Sequence, residues 1–215
     1  MSLPLFSVAF AQSNVNIGSD SEAALDFLKL LFDDLSTREP GSNRSYPLIL
    51  RMGGDRSHYL LYNEGTLLVR GQLNVRFAAH LYDSVIFHLL NGASNGIALH
   101  AGAVVCNDKT VLLPGLSGTG KSTLTAWLVS RDCSYLTDEL IFFGLDDQAS
   151  IEYFKRPLCL KPGSLHLLDE LLDDPLSADL LIDEYGAIIP HRLVSETNPG
   201  LETNPGLETH PAVVI

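Results

Sequence analysis

Apolar residues recur along this chain with two periods, and the switches between them mark out its elements. After Ser19-Asp20-Ser21-Glu22, the positions Leu25, Leu28, Leu31, Phe32 and Leu35 fall at helical spacing. The small polar residues before them are cap candidates, and their acids stand at the positive end of the helix dipole. Pro40-Gly41-Ser42-Asn43 reads as a loop. Strand-like runs follow at 47–52, 58–62 and 66–70, with Gly53-Gly54-Asp55 and Asn63-Glu64-Gly65 as turns between them. Phe77, Leu81, Val85 and Leu89 restore the helical period over 75–90, and 91–96 breaks it. Residues 1–95 are therefore expected to form a small mixed α/β unit.

A second unit is expected over 96–195. Strands at 97–105 and 110–113 join through Asn107-Asp108-Lys109, and a glycine-rich loop passes into a helix by about residue 131. The segment 135–143 contains another apolar strand, and a short helix at 164–172 follows Pro162-Gly163 with Ser164 as its cap. Residues 196–215 form a repeat-containing tail. Glu196-Thr197-Asn198-Pro199-Gly200-Leu201 recurs as 202–207 and begins again at Glu208. A period of this length with Asn-Pro-Gly in it sustains neither helix nor ladder, so the tail is expected to be disordered or turn-rich.

Composition narrows the classes. With 46% apolar and 19% charged residues in 215, the chain can bury a core. The net charge of −12 is concentrated after residue 100, and such a surface repels phosphate backbones and anionic lipid. Neither nucleic acid nor membrane is expected as a partner, and no apolar run approaches the ~20 residues of a bilayer span. The apolar start at 3–11 has Ala9 and Ala11 at the spacing of a signal cleavage site. No basic residue precedes it and Pro4 interrupts it, so a first strand is expected there. Cys106, Cys133 and Cys159 are odd in number, widely spaced and without a CxxC pair. The expectation is thiols in a reducing cytoplasm, with neither a disulfide framework nor a zinc site.

Gly115-Leu116-Ser117-Gly118-Thr119-Gly120-Lys121-Ser122 matches the phosphate-loop pattern G-x-x-x-x-G-K-[ST] throughout. The chemistry needs each part. Glycines let successive backbone N–H groups turn onto one phosphate, and the helix behind adds its positive end. Lys121 supplies charge to the β- and γ-phosphates, while Ser122 ligates Mg²⁺. Val111-Leu112-Leu113 runs in as a strand, and Leu124, Trp127 and Leu128 run out as a helix. The acid such a loop works with has two candidates: Asp138-Glu139, seventeen residues after Lys121, and Asp183-Glu184, sixty-two after. Transport ATPases write the loop in a similar way, but their Leu-Ser-Gly-Gly-Gln signature is missing from this sequence.

Leu99-His100-Ala101-Gly102-Ala103-Val104-Val105, the phosphate loop, and Tyr135-Leu136-Thr137-Asp138-Glu139 together resemble the HPr serine kinases and their relatives, including the small kinases of ribosomal-peptide clusters. The resemblance covers about residues 97–145. It implies a phosphoenolpyruvate-carboxykinase-like α/β (α+β) fold, with the loop in a mixed, mostly antiparallel sheet. It also implies ATP and Mg²⁺ as cofactors, Asp138 as base towards an attacking hydroxyl, and Glu139 as a metal or supporting acid, the two roles being exchangeable. His100 would stand near the γ-phosphate and Lys121 would act with it. Gly115, Ser117, Gly118, Thr119, Gly120, Lys121, Ser122 and Thr123 would hold the nucleotide, and Ser122, Glu139 and Asp138 the metal. Lys155-Arg156-Pro157 has a counterpart in related kinases, so Arg156 is expected either to steady phosphate charge or to serve the surface.

Two departures bear on the acceptor. Thr123 stands where the HPr kinases have Glu, and no counterpart of their C-terminal signature segment follows Ile189. HPr itself and the reverse phosphorolysis are therefore not expected. What remains is a kinase acting on a serine of a small protein or peptide, with homo-oligomer formation left open. The alternatives are a non-catalytic ATP-binding accessory module and a small-molecule kinase.

Overall fold

A computed structural model describes residues 3–37, 47–145, 150–172, 180–195 and 212–213. The loop expected at 40–43 and the repeat at 196–211 lie outside these residues. The protein is a mixed α/β chain that divides into two compact units, Met1–Gly96 and Ile97–Ile215.

In the first unit the apolar start becomes β1 (Leu5–Phe10), paired antiparallel with β2 (Ser13–Ser19). Helix α1 (Glu22–Phe32) opens on Ser21, whose hydroxyl accepts from the Ala24 N–H at 3.4 Å. It crosses to β3 (Leu48–Met52), which runs parallel to β2 as a helical crossover allows. β4 (Tyr59–Asn63) and β5 (Thr66–Gly71) complete a sheet ordered β1-β2-β3-β4-β5. Helix α2 (Val75–Gly92) is capped by Asn74, which accepts from the Phe77 N–H at 2.9 Å. The two helices meet edge to face, Phe32 on Tyr82 at 5.1 Å and Phe27 on Phe77 at 6.3 Å. Leu28, Leu31, Leu48, Leu50, Leu61 and Leu81 are fully buried in this unit.

The second unit is organised around β6 (Gly96–Cys106). It turns through Asn107 and Asp108, both at positive φ (50° and 59°), into β7 (Lys109–Pro114). A two-residue turn of that kind matches the twist of an antiparallel hairpin. Helix α3 (Lys121–Val129) follows, then β8 (Ser134–Thr137), β9 (Leu140–Gly144) and β10 (Ile151–Tyr153). β11 (Leu158–Leu160), β12 (Leu181–Asp183) and β13 (Gly186–Ile189) form a separate antiparallel sheet ordered β11-β13-β12. Between β11 and β12 a 3-10 turn (Pro162–Leu167) leads into α4 (Leu168–Leu171), and α5 (His191–Ser195) follows β13. The core joins Ala126 and Val129 of α3 to Val104, Tyr135, Leu158, Leu160, Ala187 and Ile189.

Four expectations change. The segment 135–143, expected to contain one strand, holds parts of two, with Asp138 and Glu139 at the end of the first as the resemblance implies. The helix expected at 164–172 starts earlier, as 3-10 structure at Pro162, whose fixed φ suits a first helical turn. Ser164 is therefore no cap; its hydroxyl lies 2.7 Å from that of Thr123 on α3. Part of the expected tail is ordered: β14 (Ala212–Val213) runs parallel to β7.

The fourth change is a disulfide between Cys106 and Cys133, which leaves Cys159 as the thiol. Twenty-seven residues separate the pair in sequence, so spacing conceals it. The antiparallel register of β6 and β8 sets Val105 opposite Ser134 and so brings the neighbouring cysteines together. The expectation of a reducing compartment rested on unpaired cysteines and loses that support. No helix among the described residues is long and apolar enough to cross a membrane.

Closing a loop of 27 residues restricts the unfolded chain by about 3.5 kcal/mol in the chain-entropy model. Unfolded without reductant, the protein should titrate one thiol per chain, and after reduction three. Reduction should lower the unfolding free energy by about 2–4 kcal/mol. Three thiols before reduction would show that the bond does not form.

Candidate functional site

The parts of the candidate site leave the sheet on either side of one stretch of β6. Ala101 pairs with Pro114, the last residue of β7, so the glycine-rich loop begins beside it. Ala103 pairs with Thr137, the last residue of β8, and the Ala101 N–H donates to the Glu139 carbonyl at 3.2 Å. Loop and acid pair therefore flank residues 101–103. Alternation along a strand puts His100 on the same face as Gly102. α3 crosses that face: a Cβ on Gly102 would lie 2.5 Å from Thr125 Oγ1, so only glycine admits the helix there.

The loop from Pro114 to Gly120 is exposed along its whole length. Gly118 (φ 85°) and Gly120 (φ 91°) take left-handed backbone conformations that a side chain would oppose. Thr119 Oγ1 donates to the Leu116 carbonyl at 2.8 Å, which closes the turn. Lys121 Nζ donates to the carbonyls of Gly115 (2.9 Å) and Leu116 (3.0 Å), so the ammonium lies across the loop mouth. Ser122 begins the first turn of α3, whose N–H groups have no partner within the helix. Thr123 is held sideways by Ser164. Ser117 belongs to the exposed stretch.

Across β6 the two acids behave differently. Asp138 is buried (1% exposed), and its carboxylate accepts from three donors. These are Arg156 Nε at 2.8 Å, Tyr135 Oη at 3.1 Å and the Cys159 N–H at 3.4 Å. Glu139 keeps a quarter of its side chain exposed. One of its oxygens takes Arg156 Nη2 at 2.8 Å and the other lies 3.3 Å from His100 Nε2. Arg156 thus bridges both carboxylates, and the surface role open to it from sequence is excluded. Its segment is fixed at the strand break: Thr137 Oγ1 and the Arg156 N–H donate to the Phe154 carbonyl, and the single Tyr135 hydroxyl proton is shared between Asp138 and the Arg156 carbonyl, 3.1 Å from Oη.

Burial is the strongest single influence on Arg156 and opposes its charge, but Asp138, Cys159 and Glu139 together outweigh it and hold the guanidinium well above its usual pKa. Burial, reinforced by Asp138, likewise pushes the Tyr135 hydroxyl well up, so it stays a donor. Burial pushes the Cys159 thiol up to about 12, against the opposing pull of Arg156. At neutral pH it is a protonated thiol and a poor nucleophile. Tyr135 carried no role in the sequence reading. The available signal was a tyrosine two residues before Thr137 on an apolar strand, since a buried tyrosine seeks a partner for its hydroxyl.

The other acid pair lies elsewhere. Asp183 and Glu184 occupy the β12–β13 turn, where the Asp183 carboxylate accepts from the Tyr185 N–H at 2.7 Å. Among the described residues no group of three or more His, Cys, Asp or Glu is arranged to hold a metal ion. An ion carried by phosphate oxygens needs fewer protein ligands, because substrate and water complete its octahedron. The Ser122 hydroxyl is a hard donor of that kind, beside a glycine cradle suited to phosphate. The residues present fit Mg²⁺ bound with a nucleotide. In comparisons with known proteins, the chain matches no family model and no curated protein.

Truncating one partner of a buried ion pair leaves the other charged and unpaired, at a cost of about 3–5 kcal/mol. Arg156→Ala should lower the unfolding free energy by about that much in denaturant titrations. The double replacement Asp138→Asn/Arg156→Met should recover part of the loss. A change below about 1 kcal/mol for the single variant would place the pair in water instead.

Proposed function

We propose that this chain is an ATP-dependent phosphotransferase related to the HPr serine kinases, with a phosphoenolpyruvate-carboxykinase-like core. It transfers the γ-phosphate to a hydroxyl, with a serine of a small protein or peptide as the acceptor. The observation that carries the reading is the placement of three features around one strand. β6 brings the glycine loop, His100 and the exposed carboxylate of Glu139 to the same residues. A glycine turn serving structure alone would not need an acid and a histidine beside it.

In this reading the loop N–H groups, the α3 N-terminus and Lys121 hold the β- and γ-phosphates. Ser122 would be the protein ligand of Mg²⁺ bound with the nucleotide, and that ion would supply neutralisation of developing charge. The base role passes from Asp138 to Glu139. Asp138 already serves three donors inside the protein, whereas Glu139 reaches the surface. Glu139 takes the proton of the acceptor hydroxyl as its oxygen bonds to the γ-phosphorus and the bridge to the β-phosphate breaks, releasing ADP. His100 and Arg156 hold the Glu139 carboxylate in position. The burial of Asp138 also favours a second reading, an ATP-binding module without transfer, because it removes the acid first expected to act as base.

Two measurements separate the readings. Calorimetry should show Mg²⁺–ATP binding at millimolar or tighter affinity in the unmodified protein and weaker binding in Lys121→Ala, with little change in unliganded thermal stability. Equal affinity in the two proteins would remove the phosphate-loop assignment. With γ-labelled ATP and pools of peptides, proteins and metabolites, Glu139→Gln should lower kcat by about 10²–10⁴-fold and leave KM for ATP near its original value. An unmodified protein that binds ATP and labels nothing supports the binding module. A Glu139→Gln variant with full transfer would return the base role to Asp138.

A further inference from the structure

The outer face of α3 carries exposed apolar residues that the proposed chemistry leaves unused. Leu124 is 44% exposed and Trp127 42%, while Thr125, Ala126 and Val129 on the opposite face are buried. Leu124 and Trp127 stand at i and i+3 on α3, whose N-terminus follows directly on Gly120 of the loop. Side chains on a helix lean towards its N-terminus, which here is the end that carries the loop. Trp127 lies six residues beyond Lys121, roughly 9 Å along the axis at ~1.5 Å per residue. That is within reach of the base of a nucleoside triphosphate whose phosphates lie on the loop.

The indole is also held in place. The Arg131 guanidinium lies 4.5 Å from its ring centroid and is itself fixed to Glu170 at 2.9 Å. A cation over one face restrains the ring and leaves it as a flat platform, which costs little ordering when a second π-system binds.

We propose that Trp127, with Leu124 beside it, is the stacking platform for the purine base of the nucleotide. The inference rests on the phosphate-loop reading and adds to it the element that distinguishes a nucleotide from a bare polyphosphate. Stacking tolerates any base with a sufficient π-face, so ATP and GTP are both ligands and UTP a weaker one.

The test uses the full chain and its single tryptophan, which makes intrinsic fluorescence report on this residue alone. Mg²⁺–ATP should quench the emission, and Mg²⁺–tripolyphosphate should bind, by calorimetry, without quenching it. Trp127→Leu keeps apolar bulk and removes the ring. It should weaken ATP about tenfold, equivalent to about 1.4 kcal/mol, and leave tripolyphosphate affinity unchanged. Trp127→Phe should retain ATP affinity to within about threefold. Equal ATP affinity in the unmodified and Trp127→Leu proteins, with tripolyphosphate still bound, overturns the platform and leaves the loop assignment standing. Failure of both ligands to bind the unmodified protein overturns the loop assignment and the platform with it. If Trp127→Leu converts an oligomer into a monomer, a second copy covers this face and the proposal is wrong.

Discussion

The second unit depends on one buried ion pair, Arg156 with Asp138. Neither charge tolerates the interior alone, so the chain must bring them together there or leave both in water. Burying them dictates much of what surrounds them. The strand between Ser134 and Gly144 breaks at Asp138, the segment from Phe154 to Arg156 is tied to that break, and Tyr135 is held inside by its hydroxyl. It also divides the labour of two adjacent acids. The first becomes part of the core; the second, turned to the other side of the backbone, faces outwards and shares the same guanidinium. Such a pair adds little net stability compared with apolar packing, but it fixes one geometry.

β6 supplies the second constraint. Two of its neighbours, β7 and β8, are antiparallel to it and end against the same residues although α3 lies between them in sequence. The glycine-rich loop is therefore built at the end of a hairpin rather than in a parallel crossover. Gly102 admits the close approach of α3 at Thr125, on the face of β6 that also carries His100.

Much of this organisation was legible in the sequence because it is local. The helices starting at Glu22 and Val75 announced themselves through caps and period, the 107–108 turn through its residue types, and the phosphate loop through glycines that the backbone requires at Gly118 and Gly120. What escaped depends on register between distant segments. The Cys106–Cys133 bond, the Thr123–Ser164 contact and the reach of Arg156 to both acids appear only once strands are aligned. The break at Asp138 was hidden from the apolar pattern for a different reason. The apolar run continues through it, and the ion pair overrides local strand propensity.

The forty residues from His100 to Glu139 carry the loop, the histidine and the outward acid in one unbroken length of chain. Their contacts run through a two-residue turn, one short helix and one further turn, so little loop-closure entropy opposes their assembly. Arg156 arrives from seventeen residues further on and completes a framework whose other parts are already neighbours. In folding terms the ion pair is the more local contact, 18 residues apart in sequence against 39 between His100 and Glu139, so less chain has to be gathered for the latch than for the contact it supports.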